Sequence, residues 1–205
     1  MKNQYQEISP SRAELVSDNF RGVIQGKSVI EFGASSGETL RDLHFQHGCN
    51  VESFDLFPVE LDFCKSSYFD LDQPDFTSIK GKIQKCDVVL FLDVLEHVKN
   101  PKSVIEKLCE INPDLTIVMI SPNFASIRML QAWVNGFLPE DQNGFYDSTH
   151  LKWLSKKWFK INFDPEVFEL SFFNVFSKKK YIRFVQILFP KRLCSQFGAV
   201  VQKRK

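Results

Sequence analysis

The stretch Val29-Ile-Glu-Phe-Gly-Ala-Ser-Ser-Gly-Glu-Thr-Leu40 reads as a buried strand, a glycine turn and the start of a helix. Lys27-Ser-Val-Ile-Glu-Phe32 has the β-branched and aromatic run of a strand covered on both faces, and Glu38-Thr-Leu-Arg-Asp-Leu43 resumes at helical spacing. Gly33 and Gly37 punctuate the turn. A backbone without Cβ atoms lets a ligand approach there, and the free N–H groups of a helix start favour polar or anionic groups. Such a turn gains its meaning from a carboxylate ending the next strand, which can accept both hydroxyls of a ribose. Val51-Glu-Ser-Phe-Asp55 supplies one, 18 residues after Gly37.

Outward from this unit, strand signals near 27–33, 51–56, 67–71, 86–93 and 115–121 alternate with helical ones, the mark of a doubly wound α/β sheet. Ser11 to Ile24 predicts a helix before the first strand, with Leu15, Phe20 and Ile24 covering either that strand or the ligand pocket. Pro101 to Ile111 has apolar residues at 104, 105, 108 and 111, so it predicts an amphipathic helix with proline near its start, ended by Asn112-Pro113. Ser126 to Val134 predicts another, stopped by Asn135-Gly136. The loop from Phe137 to His150 follows the fifth strand and therefore crosses the carboxyl edge of the sheet, where open α/β folds bind ligands. Substrate recognition is expected over about 122–153. A short helix at Leu154–Phe159 and strands at Val167–Phe173 and Phe197–Gln202 complete the reading.

At 205 residues the chain is expected to form one domain over 1–205 with a full core, and 21 phenylalanines point to an aromatic interior or apolar surface. The five cysteines, Cys49, Cys64, Cys86, Cys109 and Cys194, are odd in number and lack a C-x-x-C pair, so reduced and mostly buried thiols are expected. The N-terminal stretch has no apolar signal region, and no run approaches the ~18 apolar residues of a membrane span. A cytoplasmic location is the expectation. Charge is uneven: Leu170 to Lys205 holds nine Lys or Arg and no acid, leaving 17 basic residues against all 25 acidic ones before it. This basic segment suits an anionic partner, a phosphate, lipid headgroup or nucleic acid, and equally a solvated end. Within it, 178–192 is basic and aromatic. It reads either as a peripheral contact with the inner membrane face or as a crossover helix packed on the sheet.

Glu31-x-Gly33-x-x-x-Gly37, then Asp55, then Cys86-Asp-Val-Val-Leu-Phe-Leu-Asp-Val-Leu-Glu-His-Val98 resembles the class I S-adenosylmethionine-dependent methyltransferases. The similarity is to the D-x-x-E-H branch found in polysaccharide biosynthesis and in ubiquinone-type O-methyltransferases. Ser35 stands where that family often has a third glycine. A dehydrogenase-type Rossmann fold competes, but its G-x-G-x-x-G spacing is absent. The resemblance implies a mostly parallel, seven-stranded Rossmann-like sheet with helices on both faces, binding S-adenosylmethionine. It implies that Glu31, Gly33, Ala34 and Gly37 line the amino-acid part of the cofactor and that Asp55, followed by Leu56, takes the ribose. Asp70 and Leu71 fall at the adenine, with Asp72 an alternative to Asp70, and Leu92 and Asp93 near the sulfonium.

Asp93-Val-Leu-Glu96-His97 sets two carboxylates one helical turn apart with an imidazole beside the second, and Asp147-Ser-Thr-His150-Leu-Lys-Trp153 returns a further imidazole to the same edge. The pattern resembles the metal-dependent small-RNA 3′-end 2′-O-methyltransferases, which implies a divalent ion on Asp93, Glu96, His97 and His150. Aspartate at 93 departs from the usual glutamate. In the metal-free reading Glu96 caps backbone amides, His97 packs under the cofactor, and His150 or His97 serves as general base. Ser121-Pro-Asn123, the Asp147–Trp153 segment, Phe189-Pro190 and Gln196-Phe-Gly-Ala-Val-Val201 resemble methyltransferases of bacterial polysaccharide and lipopolysaccharide biosynthesis. The expected acceptor is thus the hydroxyl of a sugar or of a lipid- or nucleotide-linked glycan. Two other readings stay open: an enzyme acting on RNA 3′ ends or a quinone-type small molecule, and a non-catalytic binding subunit. Lack of a recognisable RNA-binding module disfavours nucleic acid, and the intact Gly33, Gly37 and Asp55 disfavour the subunit.

Overall fold

A computed structural model of the chain describes residues 11–127, 129, 134, 136, 148–176, 187 and 194–205. The helix expected over 126–134, the loop from 137 to 147 and the segment 178–192 lie largely or wholly outside the described residues. Around the glycine turn stand α1 (Arg12–Ile24), β1 (Ser28–Phe32) and α2 (Glu38–His47), followed by β2 (Asn50–Asp55) and β3 (Lys65–Tyr68). After α3 (Phe76–Ile83) come β4 (Val88–Leu92), a 3₁₀ turn at Leu95–His97, α4 (Pro101–Ile111) and β5 (Thr116–Pro122). The chain closes with α5 (Lys156–Asn162), β6 (Phe168–Val175) and β7 (Gln196–Lys203). Seven strands form one sheet in the order β3-β2-β1-β4-β5-β7-β6. All pairs from β3 to β5 are parallel, and β7 runs antiparallel to both β5 and β6. This is the doubly wound, mostly parallel architecture that the sequence predicts.

Both faces of the sheet are covered, which is why its strands are apolar without interruption. In β4 the side chains of Val88, Leu90 and Leu92 join the cluster under α1 and α2, while Val89 and Phe91 join the one under α3, α4 and α5. Period-two alternation thus divides one continuous apolar run between two cores. The second core is aromatic: Phe32 stacks between Phe54 and Phe91, with ring centroids 5.4 and 5.3 Å away. Each such ring removed from water contributes roughly 2 to 3 kcal/mol. Leu15, Val16, Phe20 and Ile24 of α1 are buried with Val29, so that helix covers the first strand. Its Ser11 and Glu14 form a reciprocal capping box, which fixes where the helix begins.

Two elements depart from the sequence reading. Expected over 67–71, β3 lies at Lys65–Tyr68, an edge strand whose polar, half-exposed side chains give no hydrophobic signal. Between β3 and β4 sits α3, which the sequence reading passes over; it has eight residues, only Phe76, Ile79 and Ile83 are buried, and Gly81 within it lowers its helix propensity. All five cysteines are free, four of them buried, and burial pushes the Cys86 thiol up to about 12. No helix among the described residues is long and apolar enough to cross a membrane.

Position follows from topology. The chain travels outward from β1 to β2 and β3, then returns to pair β4 with the other side of β1. A crevice opens beyond the carboxyl ends of strands where the winding reverses. Gly33, Asp55 and Asp93 are the residues that leave β1, β2 and β4 at that edge.

Candidate active site

The glycine turn is held in left-handed backbone at three positions, Gly33, Ser35 and Gly37, with φ of 74°, 51° and 71°. That geometry explains why glycine suits the middle position, and Ser35 accepts it at a cost of about 1 to 2 kcal/mol. A Cβ at Gly33 would meet Val94 at 2.5 Å, and one at Gly37 would meet Leu61 at 2.8 Å, so both glycines let neighbouring loops close on the turn. The Asp55 carboxylate ties the loops together: Oδ2 accepts the Ser35 N–H at 3.1 Å, and Oδ1 accepts the Phe57 N–H at 2.9 Å. Each oxygen retains a second lone pair. Leu56 beside it is about half exposed, available to a ligand.

Glu31 ends up 1% exposed beneath this turn, with Oε2 making no hydrogen bond. Burial raises its carboxyl to about 8, against the pull of Arg12 and with a further push from Asp55. An unpartnered buried oxygen at the carboxyl edge suits a cationic or donor group arriving with a ligand. Asp70 and Asp72 are now distinguishable. Asp72 is engaged by the Lys99 N–H at 2.8 Å and by Lys99 Nζ at 3.5 Å, whereas among the described residues Asp70 accepts only the Asp72 N–H within its own turn. Asp70 and the half-buried Leu71 therefore remain open to an adenine ring. Leu92 does not: it is fully buried in the core under α1 and α2, so the expectation that it faces the sulfonium is corrected. It follows Leu90 at period two and belongs to that core.

Past β4, Asp93 adopts φ of 56°, a left-handed conformation that aspartate tolerates better than most residues. Its carboxylate receives the Arg12 Nε–H at 3.2 Å and the Gln196 amide at 3.0 Å, ties that span 81 and 103 residues of sequence. Burial raises the Asp93 carboxyl, with Arg12 foremost among the groups that oppose it. Asp93 consequently stays apart from the cluster in which it was expected as a ligand.

Glu96, His97 and His150 do come together, with one ligand atom from each lying within 4.8 Å of the others. Glu96 is fully buried; Oε2 accepts the Ser121 hydroxyl at 3.2 Å, and Oε1 makes no hydrogen bond. Burial first, and Asp93 second, hold its carboxyl well above the usual range. The Glu96 carbonyl accepts the Leu151 and Lys152 N–H groups at 2.8 and 2.9 Å, which bolts the His150 segment to the 3₁₀ turn. His97 Nδ1 lies 3.2 Å from the Thr149 carbonyl and 2.9 Å from its hydroxyl. The carbonyl accepts only from the tautomer protonated at Nδ1, which leaves the Nε2 lone pair free, whereas the hydroxyl fits either tautomer. The imidazole rings of His97 and His150 stand 4.7 Å apart. One carboxylate and two imidazoles form a donor set that fits a divalent transition ion, and without an ion the same lone pairs serve as a base.

Sequence reasoning missed Arg12, Gln196, Ser121 and Thr149 as parts of this site. The S-x-x-E capping box locates the turn that holds Arg12, yet no local signal marks the other three.

No curated protein matches the sequence. Among solved structures, the fold is similar to a chain of the complex between the Haloferax volcanii Trm112 methyltransferase activator and a putative methyltransferase, at 14% identity and a TM-score of 0.64, over 95% of this chain and 94% of that one. It is similar to a SAM-dependent methyltransferase from Archaeoglobus fulgidus at 18% identity and a TM-score of 0.60, over 95% of both chains. A small RNA methyltransferase, HEN1, aligns at 15% identity and a TM-score of 0.64, over 95% of this chain but 25% of its own. The family model described as a methyltransferase domain matches residues 5–158. The chain belongs to that methyltransferase family.

Proposed function

We propose that the protein transfers a methyl group from S-adenosylmethionine to a hydroxyl of a sugar or lipid-linked glycan in cell-surface polysaccharide biosynthesis. The observation that carries hydroxyl chemistry is the convergence of Glu96, His97 and His150 beside the glycine turn's edge of the sheet. Such a constellation takes a proton from an oxygen nucleophile, which amine or thiol acceptors need less. S-adenosylmethionine supplies a methyl group activated on a sulfonium. Glu31, Gly33, Ala34 and Gly37 hold its amino-acid half, Asp55 and Leu56 its ribose, and Asp70 and Leu71 its adenine. Asp93, half-buried at the end of β4, adds negative charge near the sulfonium. The sugar assignment rests on the resemblance of the Ser121–Asn123, Asp147–Trp153 and Gln196–Val201 segments to polysaccharide methyltransferases.

Glu96, His97 and His150 would also hold a divalent ion, which lowers the pKa of a bound hydroxyl. Asp93 is engaged elsewhere, so the ligand set proposed here is three residues and not four. His97 is oriented for either role by Thr149. The same set favours a second reading, methylation of RNA 3′ ends, supported by the fold's similarity to the small RNA methyltransferase. Mass spectrometry separates the two: free and lipid-linked glycans from cells with the protein should contain an O-methyl sugar that cells without it lack. Unchanged glycans accompanied by altered RNA 3′ ends would overturn the sugar reading in favour of the second.

A further inference from the structure

Phe124 and Trp153 build an aromatic step against the Glu96, His97 and His150 cluster. Phe124 follows β5 through a turn at Asn123, whose Oδ1 accepts the Ala125 N–H at 3.2 Å and whose carbonyl accepts the Ser126 N–H at 2.9 Å. With Met129 it forms a small apolar cluster separate from the two cores that cover the sheet. Its ring meets the His150 ring edge-on, with centroids 5.5 Å apart and planes at 87°. The same ring lies nearly parallel to the Trp153 indole, at 6.3 Å and 14°. One buried phenylalanine thus supports a cluster imidazole and an indole at once. The segment that carries both is itself clamped, because the Glu96 carbonyl accepts the Leu151 and Lys152 N–H groups.

Burial divides the stacked pair: Phe124 is 8% exposed and Trp153 is 50% exposed. One face of the indole is turned to Phe124, and half of the side chain remains a flat apolar surface in water. The cores do not claim it. Leu154, the next residue, enters the core under α3, α4 and α5, whereas Trp153 joins neither core cluster. An indole left this open gains free energy when a ligand covers it. A pyranose suits such a surface, since its ring has a face of carbon-bound hydrogens bounded by outward-pointing hydroxyls. That face packs on an aromatic ring while the hydroxyls stay available to polar groups. Sharing Phe124 as support keeps platform and imidazole at a fixed spacing, which is what presenting one hydroxyl to a base requires. Asp93 and Glu96 act on each other at this edge, so an uncharged ring is favoured there over one that carries a phosphate.

We propose that the exposed face of Trp153, backed by Phe124, is the acceptor subsite and takes the apolar face of a pyranose ring. The proposal rests on the sugar reading of the acceptor and adds to it the residue that holds the sugar.

Methyl glycosides of galactose, mannose and rhamnose serve as probes, with uridine monophosphate as the nucleotide arm. Each is titrated into full-length wild type, Trp153→Ala and Trp153→Phe and followed by ligand NMR. At least one glycoside should bind wild type with the hydrogens of one ring face shifted upfield, the signature of an aromatic ring lying against them. Trp153→Ala should weaken that binding about tenfold and erase the shift, and Trp153→Phe should keep both in part. Both variants should unfold near the wild-type denaturation midpoint, because the indole lies outside the cores. Should Trp153→Ala fail to fold, Trp153→Phe carries the comparison, with a reduced upfield shift expected. Glycoside binding that Trp153→Ala leaves intact overturns the platform and spares the sugar reading. Nucleotide binding without glycoside binding overturns the sugar reading and the proposal with it. Binding of none of the probes to folded wild type also overturns the proposal.

Discussion

Glu31 carries a large electrostatic cost of burial. Its carboxyl is raised to about 8 by burial, so between the ordinary glutamate pKa of 4.5 and that value the folded chain holds a proton that the unfolded chain has released. The native state then binds more protons than the unfolded one, and stability falls as pH rises through this window. Above about 8 the loss levels off. Glu31→Gln removes the titration, so its stability relative to wild type, followed by thermal denaturation, should climb from about pH 5 to about pH 8.5 by an amount on the order of a few kcal/mol. Parallel curves for the two proteins would mean that Glu31 is not buried as described. The cationic half of the proposed cofactor would reverse this cost by favouring the charged carboxylate, with Oε2 as its partner.

At the scale of elements, β6 and β7 pack closely at Gly198. Gly198 of β7 lies opposite Phe173 of β6, and a Cβ at that glycine would overlap the Phe173 ring. Phe173 in turn packs edge-on against Phe20 of α1 with ring centroids 4.7 Å apart. Gly198→Ala should displace the ring and destabilise the protein by about 1 to 3 kcal/mol, read as a lowered denaturation midpoint. Phe173→Leu should restore part of it in the double variant. An unshifted midpoint for Gly198→Ala would contradict this packing. Legibility of the elements follows the range of the forces that make them. The turn from Gly33 to Gly37 and the apolar run of β4 were readable because local backbone demands and burial on two faces leave marks in consecutive residues. The polar edge strand β3 and the short helix α3 leave almost none. Asp55, Glu96 and His97 could be picked out by spacing, but the commitment of Asp93 to Arg12 and Gln196 depends on α1, β4 and β7 meeting in space, across 81 and 103 residues. For Leu92 the motif suggests a site, whereas its side chain is buried in the core with Val88 and Leu90 at period two.

Across the whole molecule, the order β3-β2-β1-β4-β5-β7-β6 gathers at one edge the glycine turn, proposed to hold the cofactor, and the Glu96, His97 and His150 cluster, proposed to act on a hydroxyl. The two parts are separable by experiment. If Glu96, His97 and His150 hold an ion, exhaustive chelation should abolish methyl transfer to the identified acceptor and leave cofactor affinity unchanged, with Mn²⁺ restoring the rate. Transfer that survives chelation would leave His97 or His150 as a base without metal. The cofactor half stands before any acceptor is known. Calorimetric titration of the folded protein with S-adenosylhomocysteine, the demethylated product, tests it most directly. Saturable binding of one molecule per chain at micromolar affinity is predicted, weakened at least tenfold by Asp55→Ala, which removes the proposed ribose acceptor, and by Gly33→Val, which drives a side chain into Val94 and the turn. No saturable binding of either S-adenosylhomocysteine or S-adenosylmethionine to folded wild type would contradict it.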